Sequence, residues 1–213
     1  PNGEVRNIPP HNKWMVCIGI LIIMTGFFGF MMACHAPFYA LGTEEAPFYG
    51  AITIYGTPVT LSNMTMNYIM AMCAGMMAMY FCSKGDPLWT MSGCIGGVVS
   101  NTAGMDAYHP LQCVGLAFCG CIFAWHMHHW VQRRFKIDDA VGAVALHAYA
   151  GLFSVVTCGF ILWGYPAAAP TGDLNPGWFG NNADGWPIIN PLGQVIGGAI
   201  FFILFGILPG YIG

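Results

Sequence analysis

Charge is scarce in this sequence. Of 213 residues, 6 are Lys or Arg and 9 are Asp or Glu, so 7% of the chain is charged. Soluble domains carry about 25% charged residues, and nucleic-acid-binding surfaces are strongly basic, so neither class fits. The sequence also lacks a phosphate-binding glycine loop, a nucleophile motif and a zinc signature. We therefore predict no enzyme activity, no cofactor and no nucleic-acid partner.

Long uncharged runs are plentiful instead. Hydrophobic residues make up 56% of the chain, and six stretches are near the ~20 residues that cross a bilayer as a helix. We predict an all-α polytopic membrane protein with one membrane domain, residues 1–213. Polar residues in the third stretch predict that this helix is buried among the others. The predicted spans are 14–34, 59–82, 88–105, 110–130, 140–163 and 189–212, after an exposed lead-in at 1–13.

The few basic residues predict an orientation. Arg6 and Lys13 precede the first span, Lys84 follows the second, and the other three, between Arg133 and Lys136, follow the fourth. With six spans, the loops alternate between the two sides of the membrane, and all six Lys and Arg residues fall on the same side. Lys and Arg concentrate on the cytoplasmic side of membrane proteins. We predict an integral membrane protein with both termini on the cytoplasmic or matrix-equivalent face. The polar first ten residues do not resemble a cleavable signal peptide.

Pairs of small residues predict helix crossings. Gly93 and Gly97 form a GxxxG pair in the third span, and Gly193 and Gly197 form another in the last. This spacing lets two helix backbones approach closely, so that van der Waals contacts hold the helices together in lipid. We predict that both pairs lie where helices pack against each other.

One histidine lies deep within an apolar run. His147 is about eight residues into the fifth span, roughly 12 Å from its end at about 1.5 Å per residue. An ionisable side chain at that depth is unfavourable unless it faces protein or water, which favours a functional role. A neutral histidine that bonds to a neighbouring helix explains the position as well.

Polar residues also flank the boundary between the fourth and fifth spans. His126, His128 and His129 lie in WHMHHW, and His126 and His129 are spaced so that they would share a helix face able to bind a metal ion. An interfacial role is favoured, because tryptophans mark a helix end in contact with water. We predict no metal site, with His126 and His129 as weak candidates. Asp138 and Asp139 open the fifth span, where acidic residues complement the helix dipole.

The sequence resembles the ammonium transporter (Amt/Rh) family. The family segment KRxxxxDDPxDxxxVHGxxG is similar to VQRRFKIDDAVGAVALHAYAG of this chain. The family's sixth helix is similar to IPPHNKWMVCIGILIIMTGFFGF, and its eighth helix is similar to TMSGCIGGVV. The resemblance covers nearly the whole chain, as helices six to eleven of an eleven-helix fold. It implies the second inverted repeat plus the final helix. It also implies that His147 is the second of two pore histidines, and that Phe30 is a gating phenylalanine beside Phe27. Cys34 then stands at a serine of the ammonium recruitment site.

The resemblance also implies departures from that family. The family builds its pore between two inverted repeats, and the first repeat, with the other pore histidine, is not in this sequence. Met31 stands where the family has an asparagine after the gate. Ala140 and Gly142 replace the proline and the second aspartate of DDPxD.

Two functions remain open at this point. The chain is either a half-transporter reused as a structural or accessory component of a larger membrane assembly, or part of an ammonium channel. In the second case its N-terminal half comes from another chain or is missing from this sequence. Both predict lipids and other integral membrane subunits as partners, and the second adds ammonium or ammonia. A half bundle exposes a large packing surface, so a partner is expected in either case.

Overall fold

A computed structural model describes residues 11–34, 55–57, 60–136, 138–165, 177–178, 180–181 and 187–212. Within these residues the chain forms six helices and no β-strand, which confirms the all-α fold, and five of the helices are long and apolar enough to cross a membrane. Most of the predicted lead-in at 1–13 lies outside the described residues. The helices are α1 (Lys13–Cys34), α2 (Leu61–Ser83), α3 (Pro87–Val99), α4 (Pro110–Phe135), α5 (Val144–Ile161) and α6 (Pro191–Gly210).

Polar caps and prolines explain where several helices begin. An N-cap side chain that accepts a backbone N–H satisfies a donor that the first turn leaves without an intrahelical partner. Proline at the first helical position loses no hydrogen bond, and it occupies that position in α3, α4 and α6. The capping residues are Thr60 for α2, Asp86 for α3, His109 for α4 and Asn190 for α6.

The predicted third span is too long. α3 ends at Val99 after 13 residues, whereas the prediction ran to residue 105. The side chains of residues 100–102 bond back to carbonyls four residues earlier, and the backbone continues as tight turns up to Tyr108. Such local side-chain bonds compete with a regular helix. The predicted burial of this helix is confirmed, because every residue from 92 to 99 is buried.

The boundary between the fourth and fifth helices also differs from the prediction. α4 continues beyond residue 130 to Phe135, where Lys136 adopts a left-handed conformation with φ of 58° and ends the helix. α5 begins only at Val144, after Gly142 turns the chain with φ of 74°. The first part of α5, Val144–Tyr149, is a π-helical turn, a wider turn than the α-helix and frequent at functional sites.

α2 and α3 cross backbone against backbone. A Cβ atom added to Gly75 of α2 would meet the carbonyl oxygen of Gly93, and one added to Gly97 would meet the carbonyl oxygen of Ala71. Only glycine permits so close an approach. α4 packs across both helices, while α1 and the start of α5 each pack against α3. α3 is therefore the central element of the fold.

The packing role of Gly193 and Gly197 stays a prediction. Among the described residues, a Cβ on Gly197 would meet nothing within 4 Å, and the atoms nearest to one on Gly193 belong to the side chain of the helix's own N-cap. α6 instead packs on α5 through Gly198 and through Gly159 of α5, whose added Cβ would lie 2.9 Å from Cα of Pro191. The helix face that carries the GxxxG spacing is turned away from α5.

Candidate functional site

His147 lies at the surface of the helix bundle. It is the fourth residue of α5, within the π-helical turn that opens the helix, and not eight residues into a span as predicted, because α5 begins only at Val144. Its side chain is exposed, whereas the two preceding residues, Ala145 and Leu146, are buried. The turn therefore packs Ala145 and Leu146 into the core and directs His147 outward. The imidazole is available to a group outside the described part of the chain.

The aromatic pair of α1 also lies toward the surface. The rings of Phe27 and Phe30 stack with centroids 5.7 Å apart and planes 10° apart. Phe27 packs partly against the core, while 56% of the Phe30 surface is exposed. Cys34, the last residue of α1, is exposed, and the segment that follows it lies outside the described residues. The side chains that resemble pore residues are thus on the outside of this chain.

A buried histidine–aspartate pair joins α4 to the start of α5. His128 and Asp139 are each 5% exposed, and Nδ1 of His128 lies 3.2 Å from Oδ2 of Asp139. A carboxylate only accepts hydrogen bonds, so the ring nitrogen donates. Asp139 also accepts the backbone N–H groups of Val144, at 3.1 Å, and Ala145, at 3.3 Å. One carboxylate therefore holds the side chain of one helix and the first turn of the next.

Aromatic rings surround this pair. The ring of Trp89, from α3, lies edge-on to His128 at 4.6 Å and to Trp125 at 5.0 Å, measured between centroids. His129 packs against Trp125 at 4.5 Å, whereas His126 is exposed. The two weak metal candidates thus differ, since His129 packs against an aromatic ring and His126 is exposed. No group of three or more His, Cys, Asp or Glu side chains suited to a metal ion occurs in the described residues.

Gly142 closes the cluster on its other side. Its backbone is left-handed, and a Cβ there would lie 2.7 Å from Cη2 of Trp89. Both the backbone conformation and the tryptophan ring therefore require glycine at this position. The turn into α5 is built directly on the Trp89 ring.

Comparison with known proteins identifies the family. The sequence matches the model of the Ammonium Transporter Family over residues 1–212. The chain belongs to the ammonium transporter family. It is 25% identical over 213 residues to ammonium transporter Amt1 of Methanocaldococcus jannaschii, an alignment that covers 99% of this chain and 45% of that protein. Amt2 of the same organism is 28% identical over 211 residues, with 99% and 41% covered.

A third relative, ammonium transporter Amt1 of Haloferax mediterranei, is 29% identical over 155 residues, covering 70% of this chain and 29% of that protein. The chain thus spans less than half the length of these curated relatives. No solved structure matches it. Family membership and the apolar helices together make this an ammonium-transporter-like integral membrane protein.

Two departures from the ammonium transporter pattern coincide with packing positions. Met31, where the resemblance expects asparagine, is 1% exposed and belongs to the core to which α1, α2, α3, α4 and α5 all contribute. Gly142, where it expects aspartate, lies against Trp89. Neither position provides a polar side chain: Met31 is an apolar residue of the core, and Gly142 has no side chain.

Proposed function

We propose that this chain is a half-transporter that acts as a structural or accessory subunit of a larger membrane assembly and does not conduct ammonium by itself. The exposure of His147 carries the proposal. Large apolar side chains cover most of the outer surface of α1 and α6, and lipid accommodates those without a partner. An imidazole within a membrane span is different, because it needs protein or water around it. A partner that covers α5 provides that environment.

The changed polar positions favour a structural role over conduction. Met31 and Gly142 are fixed by packing and by backbone conformation, so restoring a polar side chain at either place would disturb the fold. Conduction through a half pore would also leave a permeating cation exposed to lipid. We further propose that the ends of helices carrying Lys13, Lys84 and Arg133 face the cytoplasmic or matrix-equivalent side.

Two measurements test the accessory role. We expect the chain, extracted in mild detergent, to co-purify with other integral membrane proteins in native mass spectrometry, and to give vesicles no ammonium uptake when reconstituted alone. His147→Leu should reduce the amount of co-purified partner, because the partner loses a polar contact. Leu152→Val, at an exposed apolar position on the same helix, should not. Ammonium uptake by the chain alone would contradict the proposal.

The second candidate function is ammonium conduction together with a missing first half. The outward positions of His147 and Phe30 favour it, since a second half would meet both of them there. The partner would then be a membrane segment with five helices and its own mid-span histidine. In that case the reconstituted complex should take up ammonium, and His147→Ala should abolish the uptake while the two halves remain associated.

A further inference from the structure

We infer that His128 is a positioning residue: by holding Asp139, it fixes the π-helical turn that carries His147 and so sets the direction of the His147 side chain. The inference concerns the local structure of α5. It holds whether the assembled protein conducts ammonium or not, so its test is independent of the proposed function.

Asp139 is the attachment point of the turn. Its carboxylate accepts the N–H groups of Val144 and Ala145, which have no carbonyl partner within the helix at its first turn. The side chain is buried, and the described residue that donates to it from another helix is His128. A buried carboxylate without such a donor is strongly disfavoured and would turn toward water. The backbone N–H groups would then lose their acceptor.

His128 is itself fixed from a third helix. Its ring lies against Trp89 of α3, and the same tryptophan limits Gly142 to glycine. The chain between α4 and α5 is therefore fixed twice, by the bond from His128 to Asp139 and by the contact of Trp89 with Gly142. Gly142 lies five residues before His147, and Asp139 lies five residues before Val144, where α5 begins.

The direction of His147 depends on the turn remaining π-helical. An α-helix has 3.6 residues per turn, so a register change of one residue rotates a side chain by about 100° around the helix axis. Relaxation of Val144–Tyr149 to a regular α-helix would therefore direct His147 to a different face of α5. Contacts that fix the start of the turn prevent that change.

The test compares two amides at position 128 in the full chain. In His128→Asn the amide nitrogen takes the place of Nδ1 and still donates to Asp139. In His128→Gln the amide nitrogen reaches the place of Nε2 instead, so it does not donate to Asp139. Both variants lose the ring that packs on Trp89, so they differ mainly in the hydrogen bond. His126→Gln changes an exposed histidine of the same helix and is the control.

Two readouts report on the turn. In hydrogen exchange with mass spectrometry, we expect His128→Gln to speed exchange of peptides covering Val144 and Ala145 roughly tenfold, equivalent to about 1.4 kcal/mol. In NMR of protein labelled with ¹⁵N-histidine, it should shift the His147 signal, assigned from its loss in His147→Gln. His128→Asn and His126→Gln should change neither readout.

The inference is overturned if His128→Gln leaves both readouts unchanged, or if His128→Asn behaves like His128→Gln. Should His128→Gln fail to give folded protein, Asp139→Asn replaces it. That variant keeps one of the two oxygens, so if the oxygen stays on Val144, both Ala145 and His128 face the amide nitrogen and lose their acceptor. It should shift the His147 signal, and an unchanged signal would again overturn the inference.

Discussion

The crossing of α2 and α3 gives the sharpest test of the fold, through the substitution Gly75→Ala. The added Cβ would overlap the carbonyl oxygen of Gly93 and would lie 2.8 Å from Cα and 2.9 Å from the backbone nitrogen of Gly97. All three are backbone atoms, so no change of side-chain rotamer relieves the contact. The two helices must move apart, and the close packing that holds them in lipid is reduced.

The expected effect combines two opposing contributions. Overpacking of a well-packed interior costs about 1–3 kcal/mol, and a backbone-to-backbone contact belongs at the upper end. Alanine is favoured over glycine within a helix by about 1 kcal/mol. The free energy of unfolding should therefore fall by about 2 kcal/mol. For a chain of this length, that lowers the melting temperature by about 4–8 °C.

Gly115→Ala is the matched control. Gly115 lies within α4, and a Cβ there would meet no atom of the described residues within 4 Å, so the helix-propensity gain is the effect expected. This variant should be more stable than the parent by about 1 kcal/mol, or about 2–4 °C. Replacing glycine with alanine should therefore lower the free energy of unfolding at position 75 and raise it at position 115. Thermal unfolding in mild detergent, followed by tryptophan fluorescence, measures both. A Gly75→Ala variant as stable as the parent would refute the close crossing.

Three further substitutions test other contacts by the same unfolding measurement. Gly142→Ala should lower the free energy of unfolding by about 1–2 kcal/mol because of the left-handed backbone, and the clash of the new Cβ with Trp89 should lower it further. An unchanged melting temperature would contradict this backbone conformation. Asn67→Leu should cost about 2 kcal/mol or more, because its amide donates to two buried backbone carbonyls, and a neutral effect would show that these carbonyls find other donors. Tyr68→Phe, which removes one bond of 2.7 Å, should cost about 0.6 kcal/mol. The exposed control Tyr80→Phe should change stability by less than about 0.5 kcal/mol, and equal effects would contradict the assignment.

The length of apolar runs was sufficient to predict α1, α2 and α6 to within two residues at each end. The bilayer fixes how many apolar residues a span needs, so these boundaries follow from composition. The ends that were missed depend on backbone conformation instead. Lys136 at φ of 58° and Gly142 at φ of 74° set the boundary between α4 and α5. Neither angle follows from hydropathy, and a lysine is an uncommon residue for a left-handed helix end.

The importance of His128 was missed, although the sequence carries a signal for it. Five buried residues of α4 follow one another at alternating spacings of four and three, at positions 117, 121, 124, 128 and 131. Such spacing is typical of one helix face against a neighbour. Small residues at 117, 121 and 124 indicate that this face packs closely, so His128 belongs to it. The flanking tryptophans favoured an interface with water, and this obscured the pattern.

The cluster of Trp89, His128, Asp139 and Gly142 also explains why the aspartate of the family segment cannot simply be restored at position 142. Trp89 occupies the space that a side chain there would need, and the left-handed backbone of Gly142 disfavours any residue with a Cβ. Asp139 meanwhile accepts the backbone N–H of Val144 at the start of α5 and is itself bound by His128. These four residues therefore form one interdependent unit. The start of α5 is thus stabilised by packing among α3, α4 and α5, while the His147 side chain on the same turn is exposed.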